Sequence, residues 1–92
     1  MPLLFKIGGY AIYFWLNEGL PTEPIHIHIS PGTPSANATK VWITKDGKCV
    51  LDNNRSRIPK RALNNILEII ETNAGKIISE WKKYFGEVRF YC

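Results

Sequence analysis

The hydrophobic period of this chain changes once, at Pro59, and that change restricts the fold more than any other feature. Beyond it Leu63, Ile66, Leu67, Ile70, Ala74, Ile77, Ile78, Trp81, Tyr84 and Phe85 recur at spacings of three and four. Such spacing draws one apolar stripe along a helical segment. Before Pro59 the apolar residues come in short runs bounded by Gly-Gly, Asp-Gly and proline clusters, the pattern of strands and tight turns. Strands first and helix afterwards indicate an α+β domain: an antiparallel sheet of four to six strands with a C-terminal helical segment packed on one face. The 92 residues suit a single domain, 1–92, with no repeat, linker or low-complexity tract.

Within the first half, Leu3 to Ile7 and Tyr10 to Leu16 flank Gly8-Gly9, which predicts a hairpin with a glycine turn. The second of these runs is apolar on both alternating faces, so it is expected to be a central strand covered on each side. "NEGLPTEP" reads as a loop. Ile25 to Ser30 forms a third strand, stopped by "PGTP", and "KVWIT" and "KCVL" pair around Asp46-Gly47. Pro59 fits the first helical turn, where a missing N–H costs nothing. Thr72 to Gly75 marks a bend, giving one bent helix or two, and Gly86 a C-cap. "EVRFYC" alternates in the manner of a short final strand.

The net charge of +4 is uneven. Residues 1–47 balance three basic side chains against three acidic ones, whereas the remainder carries nine basic against five acidic. An anionic partner for the C-terminal half follows as an expectation. Hydrophobic residues at 45% place the chain with folded globular proteins and exclude a disordered one. The Tyr10–Leu16 run is far short of the roughly 20 apolar residues of a membrane helix, so no membrane association is expected. Cys49 and Cys92 lack CxxC spacing and no secretory signal accompanies them. A cytoplasmic protein with reduced thiols is the expectation.

Both histidines lie in "EPIHIHISPG", from Glu23 to Gly32. Alternation sends Ile25, Ile27 and Ile29 toward the core and sets His26 and His28 together on the other face, roughly 6.5–7 Å apart along the strand. On that face they are expected to be half-exposed, serving structure or an interface. Two imidazoles can also supply two corners of a divalent-metal site or contact a phosphate or proton. A metal-dependent hydrolase would need further ligands from Glu18, Glu23, Asp46, Asp52 or Cys49, and spacing selects none of them. No nucleophile motif or glycine-rich phosphate loop is present, so no catalytic residue is assigned.

A second candidate is the basic turn "NNRSRIPKRALNN", which gathers Arg55, Arg57, Lys60 and Arg61 within seven residues. Lys60 and Arg61 occupy a helix start, where cations cost roughly 0.3–1 kcal/mol each at low salt. An anion docked there, such as a nucleic-acid phosphate, would offset that cost. The alternative is a screened cluster paired with Asp52, Glu68 or Glu71.

The order "FKIGGYAIYFW", "NEG", "PIHIHI", "KVWI", "NNRSRIP" and "LEIIETNAGKIISEWKKYFG" resembles the bacterial family catalogued as domain of unknown function 4160, from about Phe5 to Gly86. The most specific elements are Pro24, His26 and His28 and the late "WKKYF" helix. Members often carry two prolines directly before the first histidine, where this chain has Ile25 between Pro24 and His26. The resemblance implies a small protein partner encoded nearby, in a toxin–antitoxin-like or paired two-protein system. An interaction module binding that partner, through the histidine face or the edge of "EVRFYC", is the leading expectation. A nucleic-acid binder or RNA-directed toxin using residues 55–61 comes second, and a metal-dependent hydrolase using the histidine pair third.

Overall fold

The alternating half folds as its turns dictate. The computed structural model describes residues 3–16 and 23–92. In it the strands β1 (Leu3–Ile7), β2 (Tyr10–Tyr13), β3 (His26–Pro31), β4 (Thr39–Ile43) and β5 (Cys49–Asn53) pair with their chain neighbours, all antiparallel, in the order β1-β2-β3-β4-β5. Gly8 turns the first hairpin at φ 58°. At the last hairpin Gly47 adopts φ 77° after Lys45-Asp46, and the Thr44 hydroxyl accepts the Lys48 N–H at 3.0 Å. Both are positive-φ positions that a hairpin assigns to glycine. The "NEG" part of the following loop, and Pro21 with it, lie outside the described residues.

Two ladders contain a bulge. Leu4 is the extra residue of β1 and Asp52 that of β5. Such an insertion bends an edge strand and re-aims a side chain.

The helical stripe continues across a break. Helices α1 (Lys60–Thr72) and α2 (Ala74–Phe85) meet at Asn73, which leaves helical geometry at φ −108°, ψ 15°. Its side-chain amide donates to the Ile69 carbonyl at 2.8 Å, satisfying one of the groups the helix end exposes. Leu63, Ile66 and Ile70 from α1 and Ala74, Ile77 and Trp81 from α2 are buried against Ile12, Ile27, Ile29, Val41 and Ile43. Each fully buried isoleucine contributes about 1.5–3 kcal/mol relative to exposure. Pro59 sits one residue before α1 rather than within its first turn. Gly86 is the left-handed C-cap at φ 79°. Among the described residues no helix is long and apolar enough to cross a membrane.

Two expectations about strands need correction. Ladder pairing of β2 ends at Tyr13, although Phe14 continues into the core against Trp81 at 5.0 Å between ring centroids. The expected final strand does not form. Residues 87–92 make isolated backbone bonds, with Ile25 N–H donating to the Arg89 carbonyl and Lys45 N–H to that of Cys92. The tail crosses strand ends instead of running beside an edge, so no ladder can build.

The sheet face away from the main core is also covered. Ala11, Tyr13 and Ala38 form a small buried cluster with Trp15 against it. The segment 32–38, with the sequence GTPSANA, is anchored there by the Tyr13 hydroxyl. That oxygen lies 2.8 Å from Ser30 Oγ, donates to the Ser35 carbonyl at 3.2 Å and accepts the Ser35 N–H at 3.1 Å. The double coverage expected of Tyr10–Leu16 is therefore real for Ala11 to Phe14.

Candidate functional site

Strand register builds the site. Tyr13 pairs with His28, His28 with Lys40 and Lys40 with Asn53, so one row of side chains crosses β2, β3, β4 and β5. His26 is paired with Trp42 in the neighbouring row. The imidazoles project side by side from an extended segment, with ring centroids 5.2 Å apart and planes at 84°.

They do not form an exposed face. His26 is fully buried and His28 only 8% exposed, which corrects the half-exposed surface expected from alternation. The cause is aromatic cover. Trp42 and Trp81 stand edge-on to His26 at 5.6 and 5.4 Å. Tyr13 packs on His28 at 5.5 Å. Tyr91 from the C-terminal tail stacks on Trp42 at 4.9 Å. His26 Nδ1 lies 2.9 Å from the Pro24 carbonyl, which fixes that ring, and 4.0 Å from Glu23 Oε1.

For a metal, the donor set is short. Among the described residues no group of three or more His, Cys, Asp or Glu side chains could hold an ion. Glu23 accepts Lys40 Nζ at 3.1 Å, and Asp52 accepts Trp42 Nε1 at 3.2 Å. Asp46 lies in the β4–β5 turn. Cys49 is pushed up to about 12, by burial first and the charge of Glu71 second, so its thiol keeps its proton. Glu18 lies outside the described residues.

The basic turn is held in shape by its own polar side chains. Asn54 accepts the Ile58 N–H at 3.1 Å and the Thr39 hydroxyl at 2.7 Å, and donates to the Ile58 carbonyl at 3.0 Å. The Ser56 hydroxyl bridges the carbonyls of Ile29 and Asn37. Between them Arg57 adopts φ 54°, a left-handed conformation uncommon for a residue with a side chain. Arg55, Arg57, Lys60 and Arg61 are all exposed. None has an ion-pair partner among the described residues. Two of the three acids expected beside them are engaged elsewhere: Glu71 accepts the Cys49 N–H at 2.9 Å, and Asp52 serves Trp42 and Asn53. The first turn of α1 holds no acid and its start has no side-chain cap, so the unfavourable charge placement stands.

One member of each candidate group, His28 and Arg55, lines a polar cavity of about 240 Å³ on the sheet face opposite the helices. Its lining includes His28, Lys40 and Asn53 from the cross-strand row, with Trp15, Ser35 and Arg55 around them. His26 does not reach it, nor do Arg57, Lys60 and Arg61. Lys40 is held in place by Glu23 and lies over the Trp42 ring at 4.3 Å. Sequence reasoning missed Lys40 and Asn53, because only register places them beside His28, and Trp15, which joins the lining from beyond the end of the β2 ladder.

At the other end of the sheet, Leu3, Leu4 and Phe5 of β1 and Ile77 and Tyr84 of α2 line a groove of about 300 Å³, with Lys76 and Glu80 at its rim.

The family model described as "Domain of unknown function (DUF4160)" matches residues 9–82, which include both histidines and the whole basic turn. No curated protein and no solved structure gives a match.

Proposed function

The chain belongs to the DUF4160 family, and from that premise we propose that it is a small interaction module, one half of a toxin–antitoxin-like or paired two-protein system, which docks a small protein partner along the open β1 edge. The observation that carries this is the contrast between the two sheet edges. On β5 the Cys49 amide is already taken by Glu71 of α1. On β1 no helix or loop among the described residues pairs with the strand. Leu3 and Tyr84 beside it are each 49% exposed. An open apolar edge is a liability that proteins usually cover or charge, and here Lys6 is the only charge on it. A partner strand would satisfy the free main-chain groups, and its alternate side chains would enter the Leu3–Tyr84 groove. A cytoplasmic setting is part of the proposal, supported by two free thiols.

The test is co-expression with the product of the adjacent gene, followed by co-purification. Leu3→Glu and Tyr84→Glu alter half-exposed positions, the second giving up an edge contact with buried Phe14. Both variants should fold, Leu3→Glu with the smaller loss of stability, and lose the complex at least tenfold. A wild-type chain that forms no complex with its neighbour, or variants that bind it undiminished, would remove this function.

Nucleic-acid contact through Arg55, Arg57, Lys60 and Arg61 is the second function the surface supports, favoured by the exposure of four cations without ion pairs among the described residues. RNA retention should then fall steeply with salt. Flat salt dependence would exclude it.

A further inference from the structure

We propose that the cavity floored by His28, Lys40 and Asn53 binds a single nucleotide unit, with its phosphate held between Lys40 and Arg55 and its base against Trp15. The cavity shares no residue with the β1 groove, so this inference and the edge-docking function can fail separately.

Size is the first argument. A volume of about 240 Å³ falls just below the roughly 300–1,000 Å³ of sites for drug-sized ligands. It suits one compact polar molecule. The lining chemistry is the second. Lys40 lines the cavity, and its ammonium, paired with Glu23 at 3.1 Å and lying over the Trp42 ring, would be shared between that carboxylate and a ligand phosphate. The Arg55 backbone N–H is fixed by Asn53 Oδ1 at 3.1 Å while its guanidinium stays exposed. A point cation and a planar fork on one cavity are a phosphate-binding pair.

Asp52 also lines this cavity. It is the bulged residue of β5, and its two oxygens accept Trp42 Nε1 and Asn53 Nδ2, each at 3.2 Å. The carboxylate is thereby engaged with neutral donors at the sheet surface. Trp15 supplies an aromatic ring, held edge-on to Tyr13 at 5.4 Å, and base stacking on such a ring is tolerant of base identity. A phosphate alone would leave the ring unused. Asn53 and Ser35 add neutral polar groups for a ribose or base edge. Arg57, Lys60 and Arg61 lie outside the cavity, where only a longer strand would reach them.

The experiment is a nitrogen–proton NMR titration of the full chain with 5′-AMP, adenosine, inorganic phosphate and a 5′-phosphorylated RNA octamer. The expected result is saturable shifts of the Trp15 indole and of the Ser35, Lys40 and Asn53 amides with 5′-AMP. Adenosine and phosphate should each bind at least tenfold more weakly, and Arg55→Glu, an exposed substitution, should weaken 5′-AMP at least tenfold. If the octamer shifts the same signals, the source is a strand end. If only 5′-AMP does, it is a free nucleotide, and either result supports the cavity. Shifts confined to Arg57, Lys60 and Arg61, no cavity shifts at millimolar 5′-AMP, or undiminished binding by Arg55→Glu would overturn the inference.

Discussion

Replacing Tyr13 with phenylalanine tests how much its hydroxyl contributes to tying segment 32–38 to the sheet, beside the Ser56 hydroxyl on the Asn37 carbonyl and the Gly32 N–H on that of Gly9. That oxygen has one proton and two acceptor positions, and all three are used by Ser30 and Ser35. The ring itself is fully buried, so phenylalanine preserves the packing and removes only the polar contacts. Ser35 is exposed, and its backbone groups can turn to water, which holds their loss to about 1 kcal/mol. Ser30 is fully buried, and its hydroxyl then lacks its partner, costing about another 1 kcal/mol. The sum is about 2 kcal/mol. For a domain of this size it corresponds to a melting point lower by about 8–16 °C. Urea unfolding should show the midpoint falling with the slope unchanged, the signature of a stability change alone. Ser30→Ala combined with Tyr13→Phe should be less than additive by about 1 kcal/mol, since both remove the same bond. A Tyr13→Phe loss below about 0.5 kcal/mol, with additive energies in the double variant, would refute the anchoring role.

Other perturbations follow from the same geometry. His26→Ala empties a site enclosed by Trp42, Trp81 and His28 and should cost about 2–4 kcal/mol in urea unfolding; a neutral effect would mean that the ring is not enclosed. Iodoacetamide at pH 8 should label exposed Cys92 and spare half-buried Cys49, and equal labelling would contradict the burial. The Cys49 thiol holds its proton more tightly folded than unfolded, so its stabilising contribution is complete below pH 9 and fades as pH rises from 9.0 toward about 12. Arg57→Gly relieves a left-handed backbone at φ 54° and should leave the unfolding midpoint unchanged or raise stability by up to about 1 kcal/mol; a clear drop would show that the side chain holds the turn.

Local signals read well in this sequence, and contacts between distant segments did not. Gly8, Gly47 and Gly86 each marked a turn or cap because positive φ is a local requirement. The stripe from Leu63 to Trp81 survived the break at Asn73 because residue spacing alone decides which side of a helix is apolar. The histidine pair shows the limit. Alternation placed both rings correctly on one face, but their burial depends on Trp42, Trp81 and Tyr13. "EVRFYC" misled for a related reason: its alternation suits a strand, yet pairing needs a free edge, and the tail reaches strand ends instead. The cavity was hidden because Lys40 and Asn53 join His28 only through ladder register, including the one-residue bulge at Asp52.

Hydrogen exchange of the whole chain, alone and with the product of the adjacent gene, examines the docking edge directly. The amides of Leu3 to Ile7 that face away from β2 should exchange readily in the free protein and slow at least tenfold in the complex, while Cys49 to Ile58 stay unchanged. Protection that falls on Cys49 to Ile58 and spares Leu3 to Ile7 would place the partner on the opposite edge and contradict the account.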